Sequence, residues 1–240
     1  MKKSHLDDLP GFRRRFRVTP KPGSVSCAVE DDYHCMSVLI RHDGDQATAV
    51  QAQMHRAPWT TCPGAELKLC EAFSGVALAK FTQLGHKSRH CTHLYDLAIL
   101  AAEHAFDEQP TVYDILVSDP IEGWRHAEIR RDGEKQMSWA ESGLKIIEPD
   151  ELAGMSLFAM KGWIGSLDPS MQVSVKLLQW GNILASGRSI PLEQQSDATR
   201  MPPNCYTFQP KRAMQARRVG EVHDFSQLAE KPLDRISILE

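Results

Sequence analysis

Met36, Val38 and Ile40 alternate with Ser37, Leu39 and Arg41, a period of two that predicts a half-buried strand. His42-Asp43-Gly44-Asp45 follows, and an Asp-Gly pair tolerates the positive φ of a tight hairpin, so residues 47–54 are expected to return as the partner strand. A further strand is expected at 25–29. The period then lengthens. Leu67, Leu69, Cys70 and Phe73 follow Cys62-Pro63-Gly64, where Pro63 suits a first helical turn and Gly75 a stop. Residues 81–90 read as a loop or a short broken helix. Thr92 is placed as the N-cap of a second helix, with Asp96 in its first turn, a stripe of Leu94, Leu97, Ala98, Ala101 and Ala105, and Pro110 beyond it.

The second half repeats the order. Residues 111–117 are strand-like, and 124–130 and 135–139 flank Asp132-Gly133, a second hairpin signal. Pro149-Asp150-Glu151 is expected to open a helix running toward Trp163. Asp168-Pro169 opens another, carrying Val175, Leu178 and Leu184 toward Gly187. Strands, two helices, strands and two helices predict the α+β class: an antiparallel sheet with two helices, extended by a further hairpin and C-terminal helices. The corresponding division is an N-terminal arm at 1–23, irregular and rich in Pro and Arg; an α+β core at 24–148; a helical extension packed on that core at 149–190; and an irregular C-terminal segment at 191–240, whose first twenty residues read as a surface excursion.

Composition narrows the function classes. A chain of 240 residues, 42% hydrophobic and 25% charged, has room for a sizeable core. Its net charge of −3 argues against nucleic acid as partner, although Arg13, Arg14, Arg15 and Arg17 cluster near the start and Lys211, Arg212, Arg217 and Arg218 near the end. No apolar run approaches a membrane span, and the charged start is followed by no apolar signal region, so no membrane partner and a cytoplasmic location are expected. Six cysteines in that compartment are free thiols or metal ligands rather than disulfides.

Two of those cysteines carry the best clue. Cys62 and Cys91 each stand where a helix should begin, and the unpaired N–H groups and partial positive charge there favour a thiolate. His90, His93, Asp31, Asp32, His34, Cys35, His55 and Arg56 would converge on them if the hairpin packs across both helix starts. Zinc accepts Cys, His and carboxylate ligands, so Cys62, Cys91, His93 and Asp32 are the candidate metal ligands, and the expected cofactor is none or one zinc or iron ion. His34, His55, Arg56 and Asp32 are the candidate catalytic groups, because histidine titrates near neutral pH and Arg56 can pair with a carboxylate or phenolate. Trp59, with Arg56, is the candidate substrate contact. Plain packing stays open for Cys62 and Cys91 and is the reading for Cys27, Cys70 and Cys205. Neither a dinucleotide fingerprint nor a phosphate-binding loop occurs.

The order of β-hairpin, Cys62-Pro63-Gly64-Ala65 at a helix start, then His90-Cys91-Thr92 before an Ala-rich helix resembles the iron–sulfur scaffold fold of the NifU/IscU type over residues 25–107. Where that family has Cys-Gly-Asp, this chain has Glu30-Asp31-Asp32-Tyr33-His34-Cys35. The longer motifs, Arg56-Ala57-Pro58-Trp59-Thr60-Thr61-Cys62-Pro63-Gly64-Ala65 and Cys91-Thr92-His93-Leu94-Tyr95-Asp96, resemble a bacterial family catalogued as a domain of unknown function. That second resemblance implies a setting in the catabolism of aromatic compounds. The expectation is therefore a small-molecule enzyme of bacterial catabolism, a cofactor-independent or metal-assisted lyase or hydrolase using His/Asp/Cys acid–base chemistry on an aromatic substrate, with a homodimer left open. The alternatives are a metal-binding or iron–sulfur/sulfur carrier scaffold without turnover, and an interaction module without chemistry.

Overall fold

The computed structural model describes residues 5–219, 222–236 and 239, so residues 1–4 of the expected arm and parts of the C-terminal segment lie outside the described residues. Eight antiparallel strands are present: β1 (Gly11–Lys21), β2 (Ser24–Asp31), β3 (Cys35–His42), β4 (Ala47–Arg56), β5 (Thr111–Ser118), β6 (Arg125–Arg131), β7 (Glu134–Ser142) and β8 (Lys145–Glu148). Their hydrogen-bonded order is β4-β3-β2-β1-β5-β6-β7-β8. The helices are α1 (Ala65–Phe73), α2 (Thr92–Glu103), α3 (Lys161–Ile164), α4 (Pro169–Ala185) and α5 (Pro210–Ala213). The class is α+β. Contacts divide the chain into two compact units, one of Met1–Arg15, Val112–Pro191 and Asp224–Pro232, the other of Phe16–Thr111, Leu192–His223 and Leu233–Glu240.

In the second unit, Asp43 closes the β3–β4 hairpin, its carboxylate accepting from the backbone N–H groups of Asp45 and Gln46. The register pairs Val38 with Ala52 and Ile40 with Val50. The alternation at 36–41 foretold a half-buried strand; instead β3 is buried from Cys35 through Ile40, because it is paired on both edges and α2 packs on it and on β2. The half-buried strand is β4, against which α1 lies. Phe73 anchors this core, its ring 4.7 Å from that of Phe81 and 4.9 Å from that of Tyr95. The N-cap of α2 is Cys91, and Thr92 is already the first helical residue. Asp96 makes no cap; both its oxygens accept from Lys87 Nζ, at 2.6 and 2.7 Å.

In the first unit, α4 packs on β6 and β7. A buried polar network fastens it. Trp139 Nε1 donates to Asn182 Oδ1 at 2.7 Å, Asn182 donates to the fully buried Glu141 at 3.2 Å, and Glu141 also accepts from Arg125 and from the Leu144 N–H. Two sequence expectations change here. The stretch expected to be an irregular arm contains β1, buried from Gly11 through Phe16. The helix expected from Pro149 toward Trp163 is replaced by two short 3-10 turns and the four-residue α3, which follow the strand β8. Its backbone is engaged elsewhere: Gly154 N–H donates to Ile146 O, Ile146 N–H to Met155 O and Leu157 N–H to Leu144 O. Those bonds consume groups that a helical ladder would need.

Candidate functional site

The chemistry-bearing residues of the second unit gather around the turn between β2 and β3. Asp31 builds that turn. Its Oδ1 accepts from the N–H groups of Tyr33 and His34, each at 2.8 Å, while its own N–H donates to His34 O at 2.9 Å. An aspartate hydrogen-bonding two residues ahead is the ordinary Asx turn. The same geometry carries the His34 ring back over the carboxylate, with Nδ1 3.0 Å from Oδ1 and 3.3 Å from Oδ2. Asp31 is fully buried and His34 nearly so. A buried carboxylate accepts a hydrogen bond from Nδ1–H, which favours the neutral tautomer with its lone pair on Nε2. His93, in the first turn of α2, lays its ring on that of His34, with centroids 4.1 Å apart and planes tilted by 33°.

Arg56, at the end of β4, holds this turn from below. Its guanidinium donates to Asp32 O and Asp31 O at 2.8 Å each and to Glu30 Oε1 at 3.1 Å. Glu30 Oε2 accepts from the Leu233 N–H, and Asp32 O also accepts from the His223 N–H. Arg56 is thus buried and engaged with protein groups. The carboxylate that holds His34 belongs to Asp31; Asp32 is fully buried beside it.

The cysteine pair gains a third member. Tyr206 N–H donates to His90 O at 2.9 Å, which brings the chain at 205–207 alongside the start of α2. Thr207 Oγ1 then lies 3.3 Å from Cys62 Sγ and 3.2 Å from Thr61 Oγ1. Cys62 and Cys205 both act electrostatically on Cys91. The expected thiolates are not favoured. Burial pushes the Cys91 thiol up to about 12, with the neighbouring Cys62 and Cys205 adding to the rise. Burial likewise raises Cys62, against a smaller lowering by the Thr207 hydrogen bond, and Cys205. Desolvation here outweighs what a helix start contributes. Among the described residues, no group of three or more His, Cys, Asp and Glu side chains is placed to hold a metal ion.

Trp59 is buried with Ala198, Ala213 and Ala216, its ring edge-on to Phe208 at 5.8 Å. The segment expected as a surface excursion therefore supplies core. On the other side of Trp59 stands Arg218, whose guanidinium carbon is 5.5 Å from the Trp59 ring and 5.7 Å from the Tyr33 ring. His55 is exposed on β4, next to the buried Arg56. His90 is buried with Nδ1 lacking a hydrogen-bond partner among the described residues, and burial followed by the Lys68 and His86 charges lowers its pKa.

Of the sequence candidates, His34 and His93 are brought into contact, Arg56 and Asp32 into one clamp, and Cys62 and Cys91 into one electrostatic neighbourhood. Sequence reasoning passed over Asp31 as the partner of His34, although the Asp-x-x-His spacing of an Asx turn was available. It missed Thr207, Cys205 and Arg218 as neighbours because nothing local signals a contact between positions such as Cys62 and Thr207, 145 apart. No protein-family model matches the chain, and no curated protein matches it significantly.

Proposed function

We propose that the protein is a small-molecule enzyme, a hydrolase or lyase in which His34 moves the proton. The observation that carries this reading is the Asp31–His34 pair: a fully buried carboxylate 3.0 Å from Nδ1 of a histidine whose other nitrogen is left for chemistry. Acid–base work needs a proton acceptor held in one tautomer and orientation, and this pair supplies both. In the reaction, His34 Nε2 takes a proton from water or from the substrate carbon or oxygen. Asp31 stabilises the imidazolium that forms, and His34 returns the proton to the leaving group. Asp31 and Arg56 are positioning residues, the first through His34 and the second through the turn that carries it. An aromatic substrate from bacterial catabolism and a cytoplasmic setting belong to this reading.

The test is turnover by the purified protein on four substrate types: an aryl ester, an aromatic lactone, a β-hydroxy acid and a β-keto acid. At least one is expected to be consumed, with His34→Asn slowing it about a hundredfold or more. No turnover on any of the four, or turnover unchanged in His34→Asn, contradicts the reading.

A second reading, a metal or sulfur carrier with the NifU/IscU-type core, draws on the approach of Cys62, Cys91 and Cys205. It requires thiolates, which their burial disfavours unless a bound cation compensates. Element analysis after purification without a metal-binding tag separates the two: stoichiometric zinc or iron, lost in Cys62→Ser with Cys91→Ser, would favour the carrier.

A further inference from the structure

We propose that Arg218 is the anchor for a carboxylate on the small molecule that His34 acts on, an inference that rests on the acid–base reading above. The backbone around Arg218 is fixed. Thr60 N–H donates to Arg217 O at 3.0 Å, Val219 N–H to Pro58 O at 2.8 Å, and residues 59 and 218 form a β-bridge. Further along, His223 N–H reaches Asp32 O at 2.9 Å, so the segment is tied again at the turn that carries His34.

What distinguishes Arg218 is the company it lacks. Several other arginines held by the fold face carboxylates: Arg15 faces Asp114, Arg56 Glu30, Arg130 Asp7 and Glu128, and Arg188 Asp119 and Asp224, while the buried Arg13 donates to backbone carbonyls. Among the described residues no carboxylate pairs with Arg218, and its Nε is buried without a hydrogen-bond partner. The groups acting on it electrostatically are Tyr33 and Cys62, neither of them a carboxylate, and burial lowers its pKa. Two aromatic rings flank the guanidinium, but neither supplies an anion. Arg218 is half-buried, and a guanidinium partly withdrawn from water with no counter-ion among the described residues holds an anion more strongly than one at an open surface. The guanidinium is planar, which suits two parallel hydrogen bonds to a carboxylate. The Tyr33 ring that flanks Arg218 is also 6.3 Å from the His34 ring, so cation and base border the same side chain. A molecule anchored by its carboxylate at Arg218 is thereby kept near His34, which trades entropy for rate.

Trp59 makes the proposal measurable, since the other four tryptophans, 124, 139, 163 and 180, all lie in the first unit. The experiment follows the Trp59 indole ¹H–¹⁵N signal of the full chain during titration with benzoate, with benzamide as the uncharged counterpart and with inorganic phosphate. Benzoate is expected to shift the signal saturably and to bind about tenfold or more tightly than benzamide, the scale of a hydrogen bond to a charged group. Arg218→Gln is expected to remove that preference, Arg218→Lys to weaken benzoate about tenfold through loss of the paired geometry, and His34→Asn to bind benzoate as the parent does. Equal binding of benzoate and benzamide, response to phosphate alone, or unchanged affinity in Arg218→Gln overturns the proposal. If Arg218→Gln does not fold, Arg218→Lys decides, and unchanged benzoate affinity there overturns it as well. Absence of the anion preference in the parent protein, with turnover still dependent on His34, removes this inference alone; turnover indifferent to His34 with benzoate bound at Arg218 removes the acid–base reading alone.

Discussion

At the scale of single residues, burial and one partner decide what each ionisable group can do. Asp31 and His34 are buried together, so each supplies what the other loses from water. Asp31→Asn is expected to slow turnover about a hundredfold with substrate affinity kept, because the amide still shapes the turn but no longer stabilises the imidazolium. Steady-state kinetics check this through kcat falling at constant KM. The thiols behave in the opposite way. With Cys91 and Cys35 pushed up to about 12 by burial, the reactive thiolate is scarce below that pH. In the native protein both are expected to resist a thiol-specific disulfide reagent at pH 8, while all six cysteines react in denaturant. Rapid native labelling of Cys91 would show that the thiol is less buried than described.

Elements were legible from sequence where their signal was local. The hairpin at Asp43-Gly44, the start of α2 and the whole of α4 follow from turn chemistry and periodicity, whereas the helix expected to begin at Cys62 opens there as a 3-10 turn and becomes α1 only at Ala65. β1 was hidden, because four arginines within 13–17 argue for solvent while its place between β2 and β5 buries three of them, Arg13, Arg14 and Arg15. A tertiary partner is what overrides the local signal there. The replaced helix after Pro149 is a similar case, its amides captured by β8. Two glycines set how closely elements approach. A Cβ at Gly181 would stand 2.8 Å from Ile115 Cγ2, an atom at the branch of a fully buried side chain that cannot swing away. Gly181→Ala is expected to destabilise by about 1–2 kcal/mol despite the better helix propensity of alanine. At Gly11 a Cβ would overlap the carbonyl oxygen of Val117, so Gly11→Ala is expected to cost more than Gly181→Ala. Chemical denaturation of both variants checks the size and the order.

At the scale of the molecule, the candidate site is assembled from segments far apart in the chain: the β2–β3 turn, the end of β4, the 3-10 turn before α1, the start of α2, and residues 205–219. The first four announced themselves through Asp, His, Arg and Cys at element ends. The last did not, since residues 191–219 carry no periodicity and the burial of Ala198, Ala213 and Ala216 comes from packing with Trp59. Linkage gives this molecule a stability window. The buried thiols have raised pKa values, so the unfolded chain releases those protons first and stability falls as pH rises above about 8.5. His90 has a lowered pKa, so the unfolded chain takes up a proton first and stability falls as pH drops below the ordinary value of 6.5. Melting temperature against pH is expected to show a plateau between these limits, with the acid limb shallower in His90→Gln. No helix among the described residues is long and apolar enough to cross a membrane.

The central claim, that Asp31 keeps His34 ready to accept a proton, is tested most directly by ¹⁵N NMR of the His34 ring in its neutral form. A protonated Nδ1 and an unprotonated Nε2 are expected, with that preference weakened in Asp31→Asn. A neutral ring carrying its proton on Nε2, or a tautomer indifferent to Asp31→Asn, would contradict it.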